Sequence, residues 1–184
     1  MKQNTSRRSF LRNSAIATTG LALLSSTQTV SAFTEFDSPF SGYNPYIDEK
    51  TDLRSYLSNE ESIEINGTIY DVSGENTLAG ALVEVWHLSP NSLKYRHRGK
   101  TTTNDKGNYQ FITDKPNREA GKTPRVYFKV THGDRSYFTE LLIGITGAHI
   151  TGKHWEENKL NDERLFPTTQ KQLDKTIINF NITN

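Results

Sequence analysis

The chain has 184 residues, 22 basic against 21 acidic, no cysteine, and a third of its residues hydrophobic. Without cysteine there is no disulfide framework, no thiolate metal site and no lipidated cysteine, so any metal must be held by His, Tyr, Asp or Glu. The near-even charge excludes the concentrated positive surface of a nucleic-acid binder.

The first 32 residues read as an address rather than as fold. "SRRSFLR" (6–12) is a twin-arginine pattern, "AIATTGLALL" (15–24) an apolar run, and "VSA" (30–32) a small-residue cleavage site ending at Ala32. The run is well short of the roughly 20 residues of a membrane-spanning helix, which disfavours an N-terminal anchor. The expectation is export by the twin-arginine route to the periplasm or the cell exterior. Cleavage would remove Lys2, Arg7, Arg8 and Arg12, four of the 22 basic residues and no acid, leaving a net charge of −3 against the 21 acids. No second apolar run or basic amphipathic stretch follows, so no membrane span is expected in the mature chain.

Residues 33–61 read as an arm. Phe33, Phe36, Phe40, Tyr43 and Tyr46 lie among Pro, Gly and Ser, a composition that suits an extended segment pinned by its rings. Leu53, Tyr56 and Leu57 fall at i, i+3, i+4, which predicts a short helix within 48–59.

From Ser62 the signal is strand and turn. "SIEINGTIYD" (62–71) alternates, with Ile63, Ile65, Gly67 and Ile69 on one face. "ALVEVWHL" (81–88) follows a loop. "NDKG" marks a tight turn before "NYQFIT" (108–113), and "RVYFKVTH", "GDR" and "SYFTELLI" (125–143) read as a hairpin. "TIINFNIT" (176–183) closes the chain. Between them, 146–175 is long, polar and poorly periodic, and reads as a functional loop or an insertion draped over the core. Short strands with little helix give an all-β fold class, a sandwich or partial barrel over 62–184.

None of the five histidines, His87, His97, His132, His149 and His154, forms a metal-ligand pair at helical or strand spacing. There is no nucleophile elbow, phosphate loop or dinucleotide fingerprint. On "TPRVYFKV" (123–130), strand alternation puts Arg125 and Tyr127 on one face and Val126, Phe128 and Val130 on the other. Trp86 and Tyr109 are expected in the core.

One stretch carries a resemblance. Over 67–111 the order is Gly-x-Ile-x-Asp, Ala-x-Val-Glu-Val-Trp, Lys-Tyr-Arg-His, then Asp-x-Gly-x-Tyr-x-Phe. This resembles the intradiol ring-cleavage dioxygenases, the protocatechuate and catechol dioxygenase family, over roughly residues 64–145. The resemblance implies a β-sandwich that holds ferric iron through two tyrosines and two histidines and opens a catechol between its hydroxyls. Carried over residue by residue, the first tyrosine ligand falls on Tyr95. The two histidine positions hold Arg125 and Tyr127, and the connection before that strand, 114–122, has no tyrosine for the second.

Arginine keeps its proton and has no lone pair to give a metal. The expectation is therefore a degenerate iron site with no cofactor, in which Tyr95, Arg125 and Tyr127 bind a small acidic or aromatic ligand. Three alternatives stand beside it. Arg125 can instead pair with Glu84 or Glu140 as part of the scaffold. Fe(3+) can be held by Tyr95 with Tyr127 or with recruited His97, His149 or His154, giving a divergent dioxygenase. Or the domain is a structural module of the transthyretin-like kind, with no ligand.

Overall fold

The computed structural model describes residues 38–56, 61–158 and 163–184. The twin-arginine segment, Phe33, Phe36 and Leu57 lie outside the described residues. Residues 39–184 form one compact unit of two β-sheets packed face to face.

The first sheet is antiparallel throughout. Its strands are β2 (Leu82–His87), β3 (His97–Thr102), β5 (Arg125–His132), β6 (Arg135–Ile143) and β7 (Ala148–Ile150), in the order β3-β2-β5-β6-β7. The second is built on β1 (Ser62–Tyr70). On one side β1 pairs antiparallel with β4 (Asn108–Asp114). On the other it pairs parallel with β9 (Lys175–Asn179) and then β10 (Ile182–Thr183), while β8 (Thr168–Lys171) flanks β9. Parallel neighbours demand a long crossover, and here the rest of the domain supplies it.

Alternation accounts for the core. Ile63, Ile65 and Ile69 of β1 meet Val83, Val85, Val126, Phe128, Val130 and Leu141 of the opposite sheet, with Tyr109, Phe111, Ile178 and Phe180 filling the layer. Gly67 is needed at its place in β1, because a Cβ there would lie 2.0 Å from the Phe180 carbonyl oxygen. Between β9 and β10 the Asn181 side chain takes over the ladder, accepting from the Thr68 amide at 2.8 Å. The predicted hairpin is β5–β6, turning at Gly133 with φ +57°.

Two expectations are corrected. No helix occupies the described part of 48–59: this stretch is extended and bridges β3 at Glu49–Lys100 and β4 at Asp52–Ile112. Backbone bonds from Lys50 to Lys100 and from Leu53 to Ile112 tie it to one edge strand of each sheet. Leu53 enters the core at 3% exposure, whereas Tyr56, its partner in the helical pattern, is fully exposed. Unpaired edge donors and acceptors thus outweigh a weak local periodicity.

The 146–175 segment is not a structureless loop either. It contains β7, a helix α1 (Gly152–Asn158), a 3-10 turn and β8. Its elements are too short to produce a period, and α1 is anchored by buried His154, whose Nδ1 lies 2.7 Å from the Thr139 hydroxyl. No helix among the described residues is long and apolar enough to cross a membrane.

Candidate functional site

The outer face of the first sheet carries the site. Cross-strand register puts Trp86, Tyr127 and Glu140 in one row across β2, β5 and β6, and Glu84, Lys129 and Phe138 in the next. Apolar side chains on an outward face need cover, and the arm provides it. Phe40 stacks on Tyr127 at 4.8 Å between ring centroids, Tyr43 packs on Trp86 at 5.1 Å, and the indole of Trp86 donates to the Ser41 carbonyl at 3.0 Å. The Tyr43 hydroxyl accepts from Lys129 at 2.7 Å, and Lys129 lies 3.6 Å from Glu84. Trp86 is fully buried, as expected, but under the arm and outside the inter-sheet layer. Tyr109 is in that layer.

Tyr95 lies in the β2–β3 connection with the arm backbone flat against its ring. A Cβ on Gly42, whose φ is +77°, would stand 2.2 Å from the Tyr95 ring, so this crossing admits only glycine. Tyr95 and Tyr127 are 6.2 Å apart between centroids. Both phenols donate to one oxygen, Glu119 Oε1, at 2.8 Å from Tyr95 and 3.4 Å from Tyr127. The other Glu119 oxygen is bound by Lys122.

Burial pushes the Tyr127 phenol up to about 12, with Glu119 adding to it and Arg125 opposing. Burial and the bond to Glu119 push Tyr95 higher still. Lys122, and after it Tyr95, hold Glu119 below the usual carboxylate range. At neutral pH this is two protonated phenols around one carboxylate. Arg125 Nη1 donates to Glu140 Oε2 at 2.8 Å across the β5–β6 register, so Glu140, not Glu84, is its partner.

Tyr95, Arg125 and Tyr127 therefore share one region, joined by Glu119, Glu140 and Phe40. Sequence reasoning missed Glu119. The only signal available was an acid in the short connection before β5, and nothing in strand periodicity reaches a loop.

The histidines serve elsewhere. His87 Nδ1 donates to the Leu88 carbonyl at 2.7 Å. His97 bridges Ser89 and Asp114, each at 2.9 Å, in the interior. His149 is exposed beside Thr146. Among the described residues, no three His, Cys, Asp or Glu side chains gather as a metal-ligand group. The two-tyrosine, two-histidine ferric set does not fit this donor chemistry. β5 offers a guanidinium and a phenol where imidazoles would be needed, and among the described residues Tyr95 is joined by Glu119 and Tyr127 and by no imidazole.

Several solved structures share the fold. One is the dioxygenase domain of a dioxygenase–carbohydrate-binding protein fusion from the cellulolytic bacterium Streptomyces sp. SirexAA-E, with TM-score 0.62, 16% identity, and 80% of this chain and 94% of that chain covered. A second is chlorocatechol 1,2-dioxygenase from Pseudomonas putida, with TM-score 0.58, 20% identity and 80% and 70% coverage. A third is an intradiol ring-cleavage dioxygenase from Tetranychus urticae, with TM-score 0.58, 13% identity and 77% and 88% coverage. No protein-family model matches the sequence, and no curated protein matches it. At these identities the likeness is one of architecture: the chain has the fold of the intradiol ring-cleavage dioxygenases.

Proposed function

We propose that this protein is an exported member of the intradiol fold that has lost ferric ring cleavage and binds a small acidic or aromatic ligand at Tyr95, Arg125 and Tyr127. One observation carries the reading. The donors of this region already hold two internal carboxylates, Glu119 on the phenols and Glu140 on the guanidinium. A ligand carboxylate makes the same bonds, and Phe40, half-buried against Tyr127, gives an aromatic ring a stacking surface. Export rests on the twin-arginine pattern, and N-terminal sequencing of the secreted protein tests it, with Phe33 as the expected first residue.

A second reading is favoured by the same convergence. Tyr95, Tyr127 and Glu119 bring three oxygen donors together, so a metal held there would occupy a rearranged site in place of the two-tyrosine, two-histidine set. Under that reading the protein is a ring-cleaving enzyme with a rearranged metal site.

One preparation separates the two. The protein is purified without chelators, its iron content and visible spectrum are recorded, and its thermal midpoint is followed with benzoate and 3,4-dihydroxybenzoate. A colourless, iron-free protein stabilised by these acids, with the shift lost in Arg125→Ala, is the expected result. Near-stoichiometric iron with a phenolate charge-transfer band decides for the enzyme. A colourless protein indifferent to both acids removes both readings and leaves a structural module.

A further inference from the structure

The outer face of the second sheet carries a groove of about 600 Å³ that the reading above does not use, lined on its floor by Asn66, Thr68, Asn108, Gln110 and Asn179. The register explains why these side chains gather. Asn179, Asn66 and Gln110 are directly opposite one another across β9, β1 and β4, and Thr68 faces Asn108 one step along. Their neighbours Ile65, Gly67, Tyr109 and Ile178 point inward. The result is a row of three primary amides on adjacent strands, each about 4.8 Å from the next.

The groove's chemistry is neutral and hydrogen-bonding. Its one ionised side chain, Asp52, is held by Arg54 at 2.7 Å. Thr101, Thr102 and Asn104 add hydroxyls and an amide along the wall. Local bonds use only part of this capacity. Thr68 donates to the Asn108 carbonyl oxygen, which leaves the Asn108 amino group, and Gln110 donates to Glu64, which leaves its own carbonyl. An amide carries both donors and acceptors, so the row suits a partner that also carries both at regular intervals.

An anionic polymer would find no cation in this lining, and an apolar ligand would find little to cover. Strand addition needs a sheet edge, whereas this is a face. A chain of uncharged pyranose rings fits: each ring offers hydroxyls of both kinds, and its advance along a β-linked chain is close to one strand spacing. We propose that the groove binds a neutral linear oligosaccharide, its long axis crossing the strands along Asn179, Asn66 and Gln110.

The test is titration calorimetry on the folded protein with cellohexaose, xylohexaose and chitohexaose, and with hexagalacturonate as the acidic counterpart. Binding of at least one neutral hexamer, insensitive to added salt and weakened about tenfold or more in Asn66→Ala/Asn179→Ala, is expected. All three side chains of the row point outward, so thermal unfolding should confirm that the variant is folded, and the milder Asn179→Asp should also weaken binding. Arg125→Ala should leave it unchanged, which separates this site from the one at Tyr127. No binding of any neutral hexamer at millimolar concentration overturns the proposal. So does binding unchanged in both variants, or tighter, salt-sensitive binding of hexagalacturonate.

Discussion

His87, at the end of β2, has both ring nitrogens engaged. Nδ1 must donate, because its partner is the Leu88 carbonyl, so Nε2 accepts from the Thr113 hydroxyl at 2.6 Å. The ring is a satisfied neutral imidazole with no room for a second proton. Burial, with the nearby His97 assisting, pushes its pKa down to about 3. In the unfolded chain the same ring titrates near 6.5. Between those values the unfolded state takes up a proton that the folded state refuses. This contribution to stability is therefore complete above about pH 6.5 and lost as the pH falls towards 3, by about 1.4 kcal/mol per unit. Urea unfolding at pH 6.5 and 4.5 should show the wild type losing about 2–3 kcal/mol more than His87→Gln over that interval. Equal losses would mean that His87 is charged in the folded protein. Nothing in "VEVWHL" distinguishes this ring from a site histidine, since its two partners come from the next residue's backbone and from another strand.

Among the elements, the arm departs most from local expectation. Its helical spacing is real in the sequence, but a helix there would leave the β3 and β4 edges without the bonds that Lys50, Thr51 and Leu53 now make. Among the described residues of 48–59, Leu53 is the buried apolar side chain, packed with the inter-sheet core. Leu53→Ala should cost about 2–5 kcal/mol in chemical denaturation, where a side chain on a solvated helix would cost little. The strands were more legible than the arm, because β1 keeps strict alternation along its whole length and β5 turns Val126, Phe128 and Val130 to one face. β7, at three residues, and α1, at seven, fall below the length at which a period can be read. The site divides the same way. Strand geometry alone placed Arg125 and Tyr127 together, while Glu119 and the crossing of Gly42 over Tyr95 depend on loops meeting in space.

At the scale of the whole molecule, the second sheet is closed by strands far along the chain from β1. β1 takes β9 and β10 as its parallel partners, and the amide of Asn184 still bonds to the Tyr70 carbonyl at 2.9 Å. Ile178, Phe180 and Ile182, fully buried, arrive with them. Removing 175–184 should therefore abolish cooperative unfolding rather than lower its midpoint, as a calorimetric scan would register. A truncated chain that still melts in one sharp transition would show that β4 alone can hold β1. That the final strand joins the first was beyond the sequence, because alternation fixes which face a strand buries and not which strand it lies beside.

The parallel closure also has a mechanical meaning. β1 follows the arm and β10 lies far along the chain from it, and the two run in the same direction side by side. A pull on the arm and on the far side of β10 would first peel the arm from its bridges and then draw β1 and its parallel partners past each other lengthwise. Every hydrogen bond along that seam would be loaded in shear at once, rather than opened one after another like a zip. In the exported protein proposed above, the seam between β1 and its parallel partners β9 and β10 would be the part that resists traction.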